Sequence, residues 1–132
     1  MKIGSRLSYS MLLNRLALGA VFVLFGYDKL LHPEHWVLFI TPQINRFSPI
    51  STYDFLKFQG VVETLLGVSL GVGVLTRAAA SATTVILGLI VFFLWPDPIA
   101  VRDAGLFLVS LALVLSGPGP WSLDALLQKA SE

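Results

Sequence analysis

Four long, mostly apolar stretches, marked off by charged or proline-rich punctuation, constrain this chain more than any other feature. A bilayer core about 30 Å thick is crossed by a helix of roughly 20 mostly apolar residues. Stretches of that kind run from about Leu13 to Leu31, Phe55 to Leu75, Ala78 to Trp95 and Arg102 to Ser116. With 55% hydrophobic and 13% charged residues, the chain is too apolar for an ordinary water-soluble domain. The expected fold is all-α: a polytopic membrane protein forming one four-transmembrane-helix bundle over residues 1–132. A long interfacial loop joins helices 1 and 2, and an amphipathic tail covers residues 120–132.

Lys2 and Arg6 precede the first apolar run in the manner of a signal peptide, but no small-x-small cleavage site follows before Tyr27-Asp28-Lys29, so this segment is read as a retained first helix. The chain has no cysteine, which excludes disulfides, thiolate metal sites and thiol relays. A net charge of +1 gives no reason to expect nucleic acid as a partner. An even number of spans puts both termini on one side. Lys2, Arg6, Arg15, Arg77 and Lys129 fall on that side, against Lys29, Arg46, Lys57 and Arg102 on the other, so the termini are expected in the cytoplasm.

Within the second span, "GVVETLLGVSLGVG", Gly60 to Gly73, carries one carboxylate, Glu63. At 100° per residue Gln59, Gly60, Glu63, Gly67, Leu70 and Gly71 share a sector of roughly 120°. On the first helix Arg15, Gly19, Phe22, Gly26 and Lys29 share one of about 80°. Small residues permit close helix approach where lipid supplies no hydrophobic drive, so these two stripes are expected to pack together with Glu63 facing protein. By the same arithmetic Ser81, Thr84, Gly88 and Trp95 mark the inner face of the third helix, and Arg102, Gly105, Val109, Leu113 and Ser116 that of the fourth. Glu63 lies about 9 Å inside Lys57 along its helix, in the outer third of the membrane, and Lys29 and Arg102 lie towards that same surface, whereas Arg15 is about 21 Å from Lys29 at the other end. Lys29 is the preferred counter-ion and Arg102 the second. A lone charge near a helix centre costs about 2.5–3.5 kcal/mol on insertion scales; ion pairing and protonation of Glu63 are the two escapes, and both stay open here.

The connection "HPEHWVLFITPQINRFSPISTYD", His32 to Asp54, is apolar enough to lie on the membrane surface, with Trp36, Phe39, Ile40, Phe47 and Ile50 as anchors. It reads either as a plain interfacial anchor or as a lid over a lateral ligand entrance. His32, Glu34 and His35 invite a metal reading, but Pro33 works against helical presentation and no metal is expected. No helix carries an axial histidine, so no haem is expected either. After Gly117-Pro118-Gly119-Pro120, Ser122 can cap a short helix with Leu123, Leu126 and Leu127 on one side. Trp121 fits an interfacial belt, and Asp124 is placed to pair with Arg15 or Arg77.

With "RLALGAVFVLFGYDKL" (Arg15–Leu30), "GVVETLLGVSLGVGVLTRAAA" (Gly60–Ala80), "RDAGLFLVSLALVLSGPG" (Arg102–Gly119) and "WSLD" (Trp121–Asp124), the chain resembles the DoxX family of small four-helix membrane proteins. The resemblance implies a subunit of a membrane redox system in a bacterial inner membrane, such as the large subunit of thiosulfate:quinone oxidoreductase. If the protein is enzymatic, it implies an oxidoreductase subunit using membrane quinone. On that reading Glu63, Lys29, Arg102, Tyr27 and Trp95 bound a quinone site: Lys29 donates to a carbonyl oxygen, Glu63 exchanges a proton, and Tyr27 or Trp95 packs on the ring. The alternative is a non-catalytic accessory subunit of a larger assembly. Lipids, other membrane subunits or further copies of the chain are the partners expected.

Overall fold

The computed structural model describes residues 3–40 and 42–131; Lys2, counted above at the N-terminal end, lies outside them. The described residues form helices and connecting turns. α1 (Ile3–Leu31) leads through a 3-10 helix (Pro33–Phe39) and a short α2 (Pro42–Phe47) to α3 (Thr52–Val72), α4 (Thr76–Leu94), α5 (Pro98–Ser116) and α6 (Leu123–Ala130). Among the described residues four helices, α1, α3, α4 and α5, are long and apolar enough to cross a membrane.

Local signals set the boundaries. Ser51 caps α3, its hydroxyl accepting from the amide of Asp54, and Gly73 ends it in the left-handed region at φ 81°. The second span therefore stops before Leu75. Asp97 accepts from the amide of Ile99, and Pro98 fills the first turn, so α5 starts one turn ahead of Arg102. α1 begins at Ile3 rather than Leu13, because the polar residues of its first turns interrupt hydropathy without breaking the helix; at about 1.5 Å per residue its 29 residues exceed a hydrocarbon core in length.

The bundle is two helix pairs: α1 packs chiefly on α3 and α4 chiefly on α5, and the pairs meet through α3 against α4 and α1 against α5. The first pair is joined backbone to backbone. A Cβ on Gly26 would lie 2.6 Å from the amide nitrogen of Thr64, and one on Gly67 2.7 Å from the carbonyl of Gly19. Gly19 and Gly60 are equally closed, whereas a Cβ on Gly71 would meet nothing; Gly71 contributes its own backbone to the wall facing Gly19. The second pair uses hydroxyls. Ser110 donates to the carbonyl of Ala80 at 2.9 Å and shares hydrogen bonds with Thr83 at 2.6 Å and Thr84 at 2.8 Å. Leu18, Phe22, Leu70, Ala80, Leu87 and Leu113 close the core between the pairs.

The inner faces of α1 and α3 are the expected ones. Those of α4 and α5 are rotated by about one residue: Ala80, Thr83 and Leu87 are buried rather than Ser81 and Trp95, and Asp103 and Ser110 rather than Arg102 and Gly105. Small and polar residues are a poor guide here because a hydroxyl can satisfy itself on its own helix. Ser81 donates to the carbonyl of Arg77 at 2.8 Å while remaining exposed.

Candidate functional site

Besides the hydroxyl cluster between α4 and α5, the described residues place two charged clusters inside the bundle. The first is built on Arg15, fully buried on α1, whose guanidinium donates to the carbonyls of Leu70 (3.0 Å), Gly71 (3.3 Å), Pro118 (2.8 Å) and Trp121 (2.9 Å). Leu70 and Gly71 belong to the last turn of α3, so Arg15 caps that helix and ties it to the tail. Asp124 lies near enough to feel the charge of Arg15, as expected, but makes its direct hydrogen bonds elsewhere: its carboxylate accepts from the amides of Leu75 and Thr76, both at 2.8 Å. Leu75, at φ 49° and with no hydrogen-bonding side chain, cannot cap α4 itself. Arg77 lies against Gly117 rather than against Asp124. The end of the bundle opposite the long loop is thus tied together by backbone contacts, with Tyr9 stacked on Trp121.

The second cluster lies at the opposite end, under the long loop. Lys29 on α1 donates to both carboxylate oxygens of Glu63 on α3 at 2.7 Å, and both side chains are buried. Gln59, one turn before Glu63, donates to the same carboxylate at 3.1 Å. Arg102 makes its ion pair with its neighbour Asp103, at 2.7 Å, and not with Glu63. The group therefore contains two cations and two carboxylates, which balance formally. The cause is topological: α1 and α3 run antiparallel with Gly26 against Gly60 and Thr64, Gly60 packs against the Cβ of Lys29, and the long Lys29 side chain reaches along this seam to Glu63, one turn on from Gly60.

Above this polar floor opens a cavity of about 430 Å³, bounded by α1, α3, α4, α5 and the 3-10 helix, with predominantly apolar walls. Lys29, Gln59, Glu63, Arg102 and Asp103 are its polar residues. The 3-10 helix forms its roof: Trp36, Phe39 and Ile40 face the cavity, while Phe47 and Ile50 stay exposed. Trp36 is held in place three times. Its indole donates to Asp28 at 2.8 Å, its ring meets Phe25 edge-on at 5.4 Å, and the ammonium of Lys29 sits 4.6 Å from its centroid. The guanidinium of Arg102 lies 4.9 Å from the centroid of Phe25.

Of the five residues proposed for this site, Lys29, Glu63 and Arg102 line one cavity and Tyr27 and Trp95 do not. Tyr27 is 57% exposed on the outward side of α1, and Trp95 is 61% exposed where α4 ends. Their place is taken by Phe25 and Trp36. Asp103 and Gln59 also belong to the site. Gln59 was on the Glu63 stripe in the sequence, whereas Asp103 was hidden by its neighbour Arg102.

A four-span bundle with a glycine-packed helix pair and a lidded, ion-paired cavity defines a small polytopic membrane protein. The DoxX family profile matches residues 10–95, from α1 through α4, and the chain belongs to the DoxX family. It is 33% identical over 141 aligned positions to the Uncharacterized membrane protein Rv3486 of Mycobacterium tuberculosis, an alignment that covers 91% of this chain and 82% of that one. No solved structure matches the chain.

Proposed function

We propose that the cavity under the 3-10 helix binds the head group of a membrane quinone, and that the protein works as a quinone-interacting, redox-associated subunit of a membrane complex. The observation that carries this reading is an apolar chamber, within the size range of small-molecule sites, whose polar floor is the Lys29–Glu63 pair. The residues present suit such a group. Flat aromatic walls at Phe25 and Trp36 match a planar ring, and the ammonium of Lys29 can donate to a carbonyl oxygen. Glu63 can take up or release a proton at Oε2, which Gln59 does not contact and which Lys29 would release on turning to the quinone oxygen. A bound quinone supplies two-electron redox chemistry that this chain's side chains lack, and the electrons come from a partner subunit.

The same reading puts the chain in a bacterial inner membrane with cytoplasmic termini. Burial of Arg15 and Lys29 removes one cation from each side of the charge count, leaving Lys2, Arg6, Arg77 and Lys129 against Arg46, Lys57 and Arg102. The experiment is mass spectrometry of the protein gently purified from its native membrane, with polypeptides and extractable quinone measured in one sample. Quinone retained together with a redox partner is expected. A stoichiometric partner without quinone would make the chain an accessory subunit and the ion pair purely structural.

A further inference from the structure

We propose that Asp28, His32 and His35 form a binding site for a divalent metal ion of the zinc type, outside the cavity and separate from its ion pair. Asp28 lies in the last turn of α1, and His32 follows one turn later, just before the 3-10 helix. In a 3-10 helix residues three apart eclipse one another, which brings His35 over His32. The two rings stack with centroids 5.0 Å apart and planes 15° from parallel.

Both rings direct Nδ1 at one carboxylate: His32 lies 3.4 Å from Oδ1 of Asp28 and His35 3.6 Å from Oδ2. One ligand atom from each of the three residues falls within 4.8 Å of the others. A tetrahedral zinc ion, with bonds of about 2.0–2.1 Å to nitrogen and oxygen, holds its ligand atoms about 3.3 Å apart. The trio therefore closes on an ion by movements of order 1 Å, which the two exposed imidazoles can make toward the held carboxylate. Two imidazoles and one carboxylate suit borderline divalent ions and leave further coordination positions for water or an incoming group.

A supporting contact is already in place. The Trp36 indole donates to Asp28 at 2.8 Å and fixes the orientation of the carboxylate, as hydrogen bonds to metal-ligating groups commonly do. Glu34, a candidate ligand in the sequence, is not part of the trio; Asp28 takes that role from the preceding helix. An ion held here would tie the start of the roof to the end of α1. Because Trp36 also lies over Lys29, metal occupancy would fix the mouth of the cavity.

The test is titration of the full-length, tag-free protein in detergent, stripped of metal, with Zn²⁺ by calorimetry and with Co²⁺ by visible absorption. One Zn²⁺ per chain with micromolar affinity is expected, along with the visible bands of low-coordinate Co²⁺. The H32Q/H35Q variant is expected to weaken binding at least about tenfold, and Trp36→Phe by about tenfold through its carboxylate contact. Both histidines are exposed, so the double variant should melt like the wild type without metal. If it melts early, Asp28→Asn removes a ligand from α1 and provides the same reading. Equal Zn²⁺ affinity in the wild type and in the ligand variant that folds, or no saturable binding in the micromolar range, overturns the proposal.

Discussion

Lys29 and Glu63 form the most tightly balanced contact in the molecule: two buried charges, a bifurcated hydrogen bond and a supporting amide from Gln59. Removing one charge from such a pair is far worse than removing both, because the survivor is left desolvated without compensation. Glu63→Gln is therefore expected to destabilise the detergent-solubilised protein by about 3 kcal/mol, read as a lower melting temperature. Lys29→Met combined with Glu63→Leu is expected to return to within about 1 kcal/mol of the wild type. Unchanged melting of Glu63→Gln would reject the pair. Glu63 and Lys29 were legible in the sequence because a charge inside an apolar run has few places to go. The aromatic partners were not, since an aromatic near a helix end serves a membrane interface as readily as a pocket. Tyr27 and Trp95 face outward, and Trp36, from the loop, lines the pocket.

Among the elements, the α1/α3 pair depends on the absence of side chains along its seam. Gly26→Ala is expected to push the helices apart and lower the melting temperature clearly, since its Cβ would fall 2.6 Å from both the amide and the hydroxyl of Thr64. Gly105→Ala, where a Cβ meets nothing, is expected to be neutral or mildly stabilising through helix propensity. Equal melting of the two variants would show that the seam tolerates a methyl group. The short α6 has a different dependence, because it lends Asp124 as the cap of α4. Partial burial pushes the Asp124 carboxyl up, but hydrogen bonds from the amides of Thr76 and Leu75 and the charge of Arg15 outweigh it, and its pKa lies below the ordinary carboxylate value. A depressed folded pKa contributes stability that is present above the unfolded value, about 3.9, and is lost as pH falls through the folded one. Tail docking, followed by Trp121 fluorescence or pepsin cleavage within α6, is expected to weaken as pH drops below about 4; Asp124→Ala should weaken docking and remove that dependence. An identical pH profile in the variant would assign the docking to Arg15 alone. This cap was invisible in the sequence because its two halves lie 48 residues apart and Leu75 gives no capping signal.

For the molecule as a whole, the two ends divide the work. Arg15, Asp124 and the Tyr9–Trp121 stack close one end, while the other keeps an apolar chamber open above a polar floor. Four spans and two glycine stripes could be read from hydropathy and helical periodicity, since both are properties of single helices. The chamber could not, because it depends on how the second helix pair is rotated and on where the loop folds back. The measurement that tests the account most directly uses a variant retaining Trp36 as its only tryptophan, with Trp95→Phe and Trp121→Phe, titrated in detergent with a tailless quinone. Saturable quenching of Trp36 is expected, abolished by Val62→Phe, which narrows the cavity and adds no second tryptophan, and weakened by Glu63→Gln. Quenching that rises linearly with quinone and ignores both substitutions would contradict the account and leave the chamber to lipid.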